Sequence, residues 1–238
     1  MRPYKVLCTA NSPEWLGLRH ARVTATEAYS LLLDERAPGK KWPKTRSELV
    51  LEKAGPVPPS WDDTRRMWHG RYNEDHNRRK FSDITGIRSR GSRIPGPTSK
   101  STNVFLESTE LPELACTLDG VLIAPQRQRE AITVATSRPW AQQLQDTLHL
   151  RGGFGILEMK QTDDFFGKEW KTGVPEHYKH QVWAPLVVTG FEYAVIACQI
   201  GAADMEAHVI EHPGKAHVDT LREELVGFWE QVREARNG

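Results

Sequence analysis

The chain has 238 residues, room for one large domain or two small ones, and its 38% hydrophobic and 26% charged side chains are ordinary for a soluble globular protein. With 32 basic and 31 acidic residues, any attraction for nucleic acid has to come from local patches rather than from net charge. No apolar run reaches the ~18 residues of a membrane span. Cys8, Cys116 and Cys198 are too few and too scattered for a CxxC zinc site or an all-cysteine cluster, and "MRPYKVLCTANSPEW" has no signal-like apolar stretch. A reduced, cytoplasmic protein with no membrane partner is expected.

In chain order, "NSPEWLGLRHARV" reads as a helix start with Ser12 as N-cap, Pro13 next and Glu14 in the first turn. "VTATEAYSLLL" predicts a short apolar helix capped by Thr24 or Thr26. Residues 36–60, rich in Pro and Lys, read as a basic surface loop with one helix around "TRSELVLEKAG". A longer helix is expected from Asp62 to about Ser82, ended by "ITG". The second half then changes character: "NVFLE", "LACTLDGVLIA", "EAITVAT", "FGILEMKQT", "FEYAVIACQI" and "EAHVIEH" read as strands. Helices are expected around "WAQQLQDTLHL", from Pro175 to about Val188, and from about His217 onward. No repeat and no strong linker divides the sequence. Residues 1–238 therefore read as one α/β domain with a mostly helical first half, and residues 125–153 as an insertion between two core strands.

One strand carries an anomaly. In "ILEMKQT" the alternation of a strand puts Glu158 and Lys160 on one face, with Leu157, Met159 and Gln161 on the other. Burying a carboxylate and an ammonium together costs several kcal/mol each, so a core strand accepts them only to serve a site. An isolated pair of this kind is more often a solvated edge, and a second pair, Glu169 and Lys171 between Gly167 and Gly173, reads as loop. Asp119, inside the apolar "ACTLDGVLI", strengthens the first pair, against the alternative of a turn aspartate in a "DG" hairpin. An aspartate beside Glu-x-Lys offers hard oxygen ligands and an adjacent cation. Mg²⁺ takes few carboxylates and fills its shell with water and substrate phosphate. Two such ions about 4 Å apart stabilise both the attacking and the leaving oxygen of phosphodiester cleavage. A lysine there can orient or activate the attacking water.

This Asp…Glu-x-Lys pattern resembles the PD-(D/E)xK nuclease superfamily, and three further motifs in order resemble its phage lambda exonuclease-like, or YqaJ viral recombinase, family. They are Trp15, Arg19 and "VTAT"; Gly70, Arg71 and Glu74 in "GRYNEDHNRRKFSDITG"; and Pro175, Tyr178, Gln181 and Gly190 in "PEHYKHQVWAPLVVTG". The resemblance implies a restriction-endonuclease-like core, a central mixed β-sheet flanked by helices with a helical N-terminal part. It implies Asp119 and Glu158 as metal ligands with the Met159 carbonyl as a third, and Lys160 as the catalytic lysine. Glu74 would bind a second metal directly or through water, and Gln181 would position the water or a phosphate. Arg19, Thr26 and Thr117 match a pocket for a 5′-terminal phosphate. The implied cofactor is Mg²⁺, two ions, with Mn²⁺ as substitute. The implied activity is a 5′-to-3′ exonuclease on the ends of linear double-stranded DNA. It would leave 3′ overhangs for a single-strand annealing protein in phage-type recombination, and its relatives form ring-shaped trimers.

The sequence has Thr26 and Thr117 where the family more often has serine, and it departs more widely from that pattern twice. Asp119 and Glu158 are 39 positions apart where the family has a short hairpin, and Trp183 stands where a second glutamine is usual. Two other readings remain: an endonuclease or RecB-like nuclease on the same fold, and an inactive DNA-binding accessory protein. Elsewhere, His177 and His180 form an i, i+3 pair that reads as a surface or DNA-facing feature ahead of a zinc site. His208, His212 and His217 read as a solvated strand end and loop. "RRMWHGRYNEDHNRRK" has five arginines, which suits a DNA-facing helix or a solvated basic face. Trp15 and Trp68 are expected in the core, and Trp42 and Trp61 either packed or stacked on bases.

Overall fold

The computed structural model describes residues 2–33, 44–58, 60, 64–91, 103–123, 138–149 and 154–238. Trp42, Trp61 and the expected strand "EAITVAT" lie outside them. In chain order the elements are β1 (Tyr4–Thr9), α1 (Trp15–His20), β2 (Val23–Thr24), α2 (Ala25–Leu32), α3 (Arg46–Ala54), α4 (Arg65–Thr85), β3 (Ser89–Arg90), β4 (Val104–Ser108) and β5 (Leu114–Thr117). Then follow β6 (Gly120–Ile123), α5 (Pro139–His149), β7 (Phe154–Thr162), a 3-10 helix (Phe166–Lys171), α6 (Glu176–Thr189), β8 (Tyr193–Ile200), β9 (Asp204–Glu211) and α7 (Lys215–Asn237).

Mixed β-structure flanked by helices is present as expected, but its strands form two sheets, in the orders β1-β4-β5-β2 and β3-β6-β7-β8-β9. The expected strand "LACTLDGVLIA" is the reason. It breaks after Thr117, so β5 pairs with β4 in the first sheet while β6 pairs antiparallel with β7 in the second. β7 and β8 run parallel, Glu158 opposite Ile196 and Lys160 opposite Cys198, with α6 as their crossover. β8 is buried along its whole length, as its continuous apolar run requires for a strand covered on both faces. Ile156, Ala194, Ile196 and Cys198 share one cluster with Val182, Ala184 and Leu186 of α6. Leu157, Val195 and Ala197 share another with Phe81 of α4 and Leu144 and Leu148 of α5.

Several boundaries differ from the sequence expectations, each for a local reason. β1 was not expected, because its exposed Val6 and half-buried Tyr4 obscure the alternation; its partner β4 supplies the pairing. α1 begins at Trp15 with Glu14 as its N-cap residue, one turn beyond Ser12, whose carbonyl accepts the Trp15 N–H at 3.0 Å. Glu169 and Lys171 lie in the 3-10 helix rather than in a loop. α5, within the supposed insertion, buries Leu144 and Leu148 against the second sheet and so completes a core layer. Trp15 is buried, whereas Trp68 is half exposed on α4 and is no core residue. α7 follows the helical period: Leu221, Leu225, Phe228 and Val232 form one buried stripe. Gly190 ends α6 with φ 66°, a left-handed cap that glycine adopts without steric cost.

The histidines are packed, and the rings of His180 and His217 lie together, centres 6.0 Å apart. His208 Nε2 lies 2.8 Å from the Trp170 carbonyl oxygen, and His217 sits edge-on to Trp183 at 4.8 Å, so neither is a merely solvated end. His177 packs on Tyr178, and His180 packs on Trp183 and Tyr29.

Candidate active site

The break between β5 and β6 positions Asp119. Leu118 is buried and anchors the crossing between sheets, and Gly120 pairs with Leu157 of β7. Asp119 therefore lies beside β7, and its Oδ2 accepts the Met159 N–H at 2.9 Å. This is a strand crossing from one sheet to the other, not a "DG" hairpin turn.

Glu158 is 5% exposed, so the charged face of β7 points inward. Its Oε1 accepts hydrogen bonds from Lys160 Nζ at 2.7 Å and from Gln181 Nε2 at 2.9 Å. α6 supplies the second of these, and Tyr178, three residues earlier on the same helix face, places its ring 5.2 Å from Lys160 Nζ. From the other side, α4 brings Glu74, whose Oε1 accepts from Asn103 Nδ2 at 3.2 Å. Asp119 Oδ1 and Glu158 Oε2 receive no hydrogen bond from the described residues.

These charges shift one another. Burial raises the Asp119 carboxyl well above its ordinary value, and the charges of Glu158 and Glu74 raise it further. Burial likewise raises Glu74, with Glu158 and Asp75 adding to it. Burial alone would lower the Lys160 ammonium, but Glu158, Asp119 and Tyr178 overcome this and hold it up at about 12. One lysine thus stands among three acidic side chains in a confined space, an arrangement that further positive charge would stabilise.

The donor set can be compared with that of a metal site. Among the described residues, no three His, Cys, Asp or Glu side chains are arranged as a ready-made metal cage. Mg²⁺ does not need one: it takes one or two carboxylates and completes its octahedron with water and substrate phosphate. Asp119 and Glu158, each with an oxygen to spare, and the adjacent Met159 carbonyl fit such an ion.

The second expected group lies along the same cavity. Arg19 lies in the last turn of α1, and its guanidinium is 5.4 Å from the centre of the Trp15 ring. α2 turns its N-terminal end to the cavity with Thr24, Ala25 and Thr26 on the wall, and Thr117 closes β5 beside them. A guanidinium, two hydroxyls and a helix N-terminus suit a dianionic phosphate. All the expected site residues, Arg19, Thr26, Glu74, Thr117, Asp119, Glu158, Met159, Lys160 and Gln181, line one cavity of about 340 Å³.

Sequence reasoning did not single out Asn77 and Phe105, which also line it, or Asn103, which holds Glu74, and it set Gln161 on the face away from Glu158, whereas Gln161 lines the cavity too. Asn77 was within reach, lying three residues after Glu74 and so on the same helical face. Asn103 was not, because it approaches from another element. Tyr178 was noted as a motif residue, but its ring contact with Lys160 had no signal in the sequence.

Two solved structures of an alkaline exonuclease from Laribacter hongkongensis, LHK-Exo, share this fold. One superposes with a TM-score of 0.60, and the other, in complex with dAMP, with 0.62; each is 16% identical over 95% of both chains. No curated protein matches the sequence significantly. Residues 14–192, most of the chain and every motif above, match the YqaJ-like viral recombinase domain, and the chain belongs to that family.

Proposed function

We propose that the protein is a Mg²⁺-dependent exonuclease that degrades one strand of linear double-stranded DNA from its 5′ end and leaves a 3′ overhang. The observation that carries this reading is that Asp119, Glu158 and Lys160 share one cavity with Arg19, Thr26 and Thr117. A hydrolytic centre alone suits any phosphodiester, whereas a guanidinium and two hydroxyls on the same cavity wall suit the terminal phosphate of a chain end. The dAMP held by LHK-Exo is a nucleoside monophosphate, the kind of product that removal of single nucleotides releases.

Asp119, Glu158, Glu74 and the Met159 carbonyl would hold the metal, two ions in this reading, with Mn²⁺ as substitute. When bound it would supply Lewis-acid polarisation of the scissile phosphate and a more acidic water. Lys160, kept charged by Glu158, faces the developing negative charge. Gln181 fixes Glu158 through Nε2 and can present its carbonyl oxygen to the attacking water. Arg19 forks onto the terminal phosphate with Thr26 and Thr117, setting the distance from the end to the scissile bond. The exposed 3′ strand is the substrate that a single-strand annealing protein would need.

The test is a duplex labelled at the 5′ end of one strand or, separately, at its 3′ end. Early release of the 5′ label as mononucleotide, with the 3′ label retained in long fragments, is the expected result. Early release of the 3′ label contradicts the assigned polarity.

A further inference from the structure

Helix α4 has two faces with different chemistry. Gly70, Glu74 and Asn77, at i, i+4 and i+7, line the catalytic cavity. Two residues of helix rotate by about 200°, so Tyr72 points away from that cavity, and with it a second stripe: Arg65, Trp68, Tyr72, His76 and Arg79. All five are exposed, over about 21 Å of helix. Trp68 and Tyr72 are 50% and 73% exposed and stack on each other, with ring centres 5.0 Å apart and planes 15° from parallel. Large exposed aromatics flanked by cations are uncommon on a surface that only needs to be wet.

We infer that this outer stripe of α4 is a binding track for single-stranded DNA, separate from the catalytic cavity. The inference rests on the proposed exonuclease activity, because digestion of one strand of a duplex continuously produces the other as a single strand. The choice of ligand follows from the chemistry of the stripe. The outward ring faces of Trp68 and Tyr72 can stack on bases only when those bases are unpaired, since a duplex keeps its base faces covered. Arg65 and Arg79 bracket the aromatic pair at the two ends of the stripe, with His76 between, and match the phosphates of a strand laid along the helix. A bound strand would be drawn away from the cavity while its complement is consumed inside it.

The test is fluorescence anisotropy with a labelled oligothymidine in a chelating buffer, where catalysis is silent, alongside mononucleotide release from a short duplex in Mg²⁺. The Trp68→Ala, Tyr72→Ala double variant should bind the oligonucleotide at least about tenfold more weakly, given ordinary base–aromatic stacking. It should release mononucleotides from the short duplex at the wild-type initial rate. Trp68→Phe with Tyr72→Phe keeps two stacking faces and should retain binding, which guards against a folding defect in the alanine variant. Arg65→Gln with Arg79→Gln should reduce the slope of log Kd against log salt by about 1.4, the loss of two phosphate contacts.

Unchanged oligonucleotide binding in the alanine variant overturns the inference. So does a change of oligomeric state in that variant by light scattering, which would make the stripe a contact between copies of the chain. A wild-type protein that digests duplex ends but does not bind the oligonucleotide also overturns it and leaves the nuclease reading intact. Stripe-dependent binding without digestion supports the track and refutes the nuclease reading.

Discussion

The Lys53 ammonium, 1% exposed, lies 3.1 Å from Glu27 Oε1 and joins α3 to α2 in the interior. The same Nζ donates to the Arg19 carbonyl oxygen at 3.1 Å, and Glu27 Oε2 accepts the Thr24 N–H at 2.8 Å. One buried pair thus braces the end of α1, which carries Arg19, against the start of α2, which carries Thr26. Both partners shift downward, for different reasons. Burial pushes the Glu27 carboxyl up, but Lys53, Arg19 and the Thr24 N–H more than reverse it, whereas for Lys53 burial outweighs the attraction of Glu27.

Lys53→Met should therefore cost about 3–5 kcal/mol of folding stability, because it leaves the Glu27 charge buried without its partner. It should also raise KM for 5′-phosphorylated ends more than it lowers kcat, since the metal-side residues are untouched. The pH dependence follows from Glu27. Its lowered folded value adds stability above the ordinary carboxylate range, and that stability is lost as pH falls toward the lowered value. Urea unfolding between neutral pH and about pH 3 should show a steeper acid loss in the wild type than in Glu27→Gln. Equal slopes would mean that the pair does not determine acid stability.

Lys160→Ala should abolish cleavage while DNA binding persists, because it removes a charge used in the transition state and leaves Asp119 and Glu158 in place. Lys171 belongs to the second Glu-x-Lys and lies 3.8 Å from Asp204 on the surface. Lys171→Ala should keep most of the activity. Single-turnover digestion of both variants checks the contrast, and wild-type-like turnover by Lys160→Ala would contradict the assignment.

Activity should appear with Mg²⁺ or Mn²⁺ and not with Ca²⁺, which is larger, more loosely coordinated and a weaker polariser of water. Ca²⁺ should still bind. A thermal shift on adding Ca²⁺ to the wild type, absent in Asp119→Asn, reads occupancy independently of catalysis. Full digestion in excess chelator would exclude a metal-assisted mechanism.

Arg19→Ala should erase the advantage of 5′-phosphorylated ends. Two charge-assisted bonds at roughly 1.5–3 kcal/mol each are at stake, so rates on phosphorylated ends should fall by about a hundredfold or more. A 5′-hydroxyl end never made those bonds, and its rate should change little. Equal slowing of both substrates would make Arg19 a general contact.

The cavity was legible in the sequence to the extent that its chemistry is local. Glu158 and Lys160 declared themselves as two charges on one face of an apolar strand, and Asp119 as a carboxylate in an apolar run. The cap of α2, left open between Thr24 and Thr26 by the sequence, is Thr24, whose N–H donates to Glu27 Oε2. What the sequence could not convey was long-range. The split of "LACTLDGVLIA" between two sheets depends on which strands flank it, and only that split explains why Asp119 meets Met159. Lys53, in a stretch with ordinary surface composition, gave no sign that it is buried against Glu27. Trp68 misled in the opposite direction, because a large aromatic near the middle of a helix reads as core until the helix faces are known.

The most direct measurement compares the wild type on three substrates of one sequence in Mg²⁺: linear duplex with 5′-phosphate ends, linear duplex with 5′-hydroxyl ends, and the covalently closed circle. Arg19, Thr26 and Thr117 line the same cavity as the acidic centre, and in the proposed reading they take the terminal phosphate, so the phosphorylated linear duplex should be consumed fastest. The hydroxyl-ended duplex should be consumed more slowly, and the circle should remain intact. Cutting of the circle, or equal rates on the two linear forms, would contradict an enzyme that works from a 5′ end.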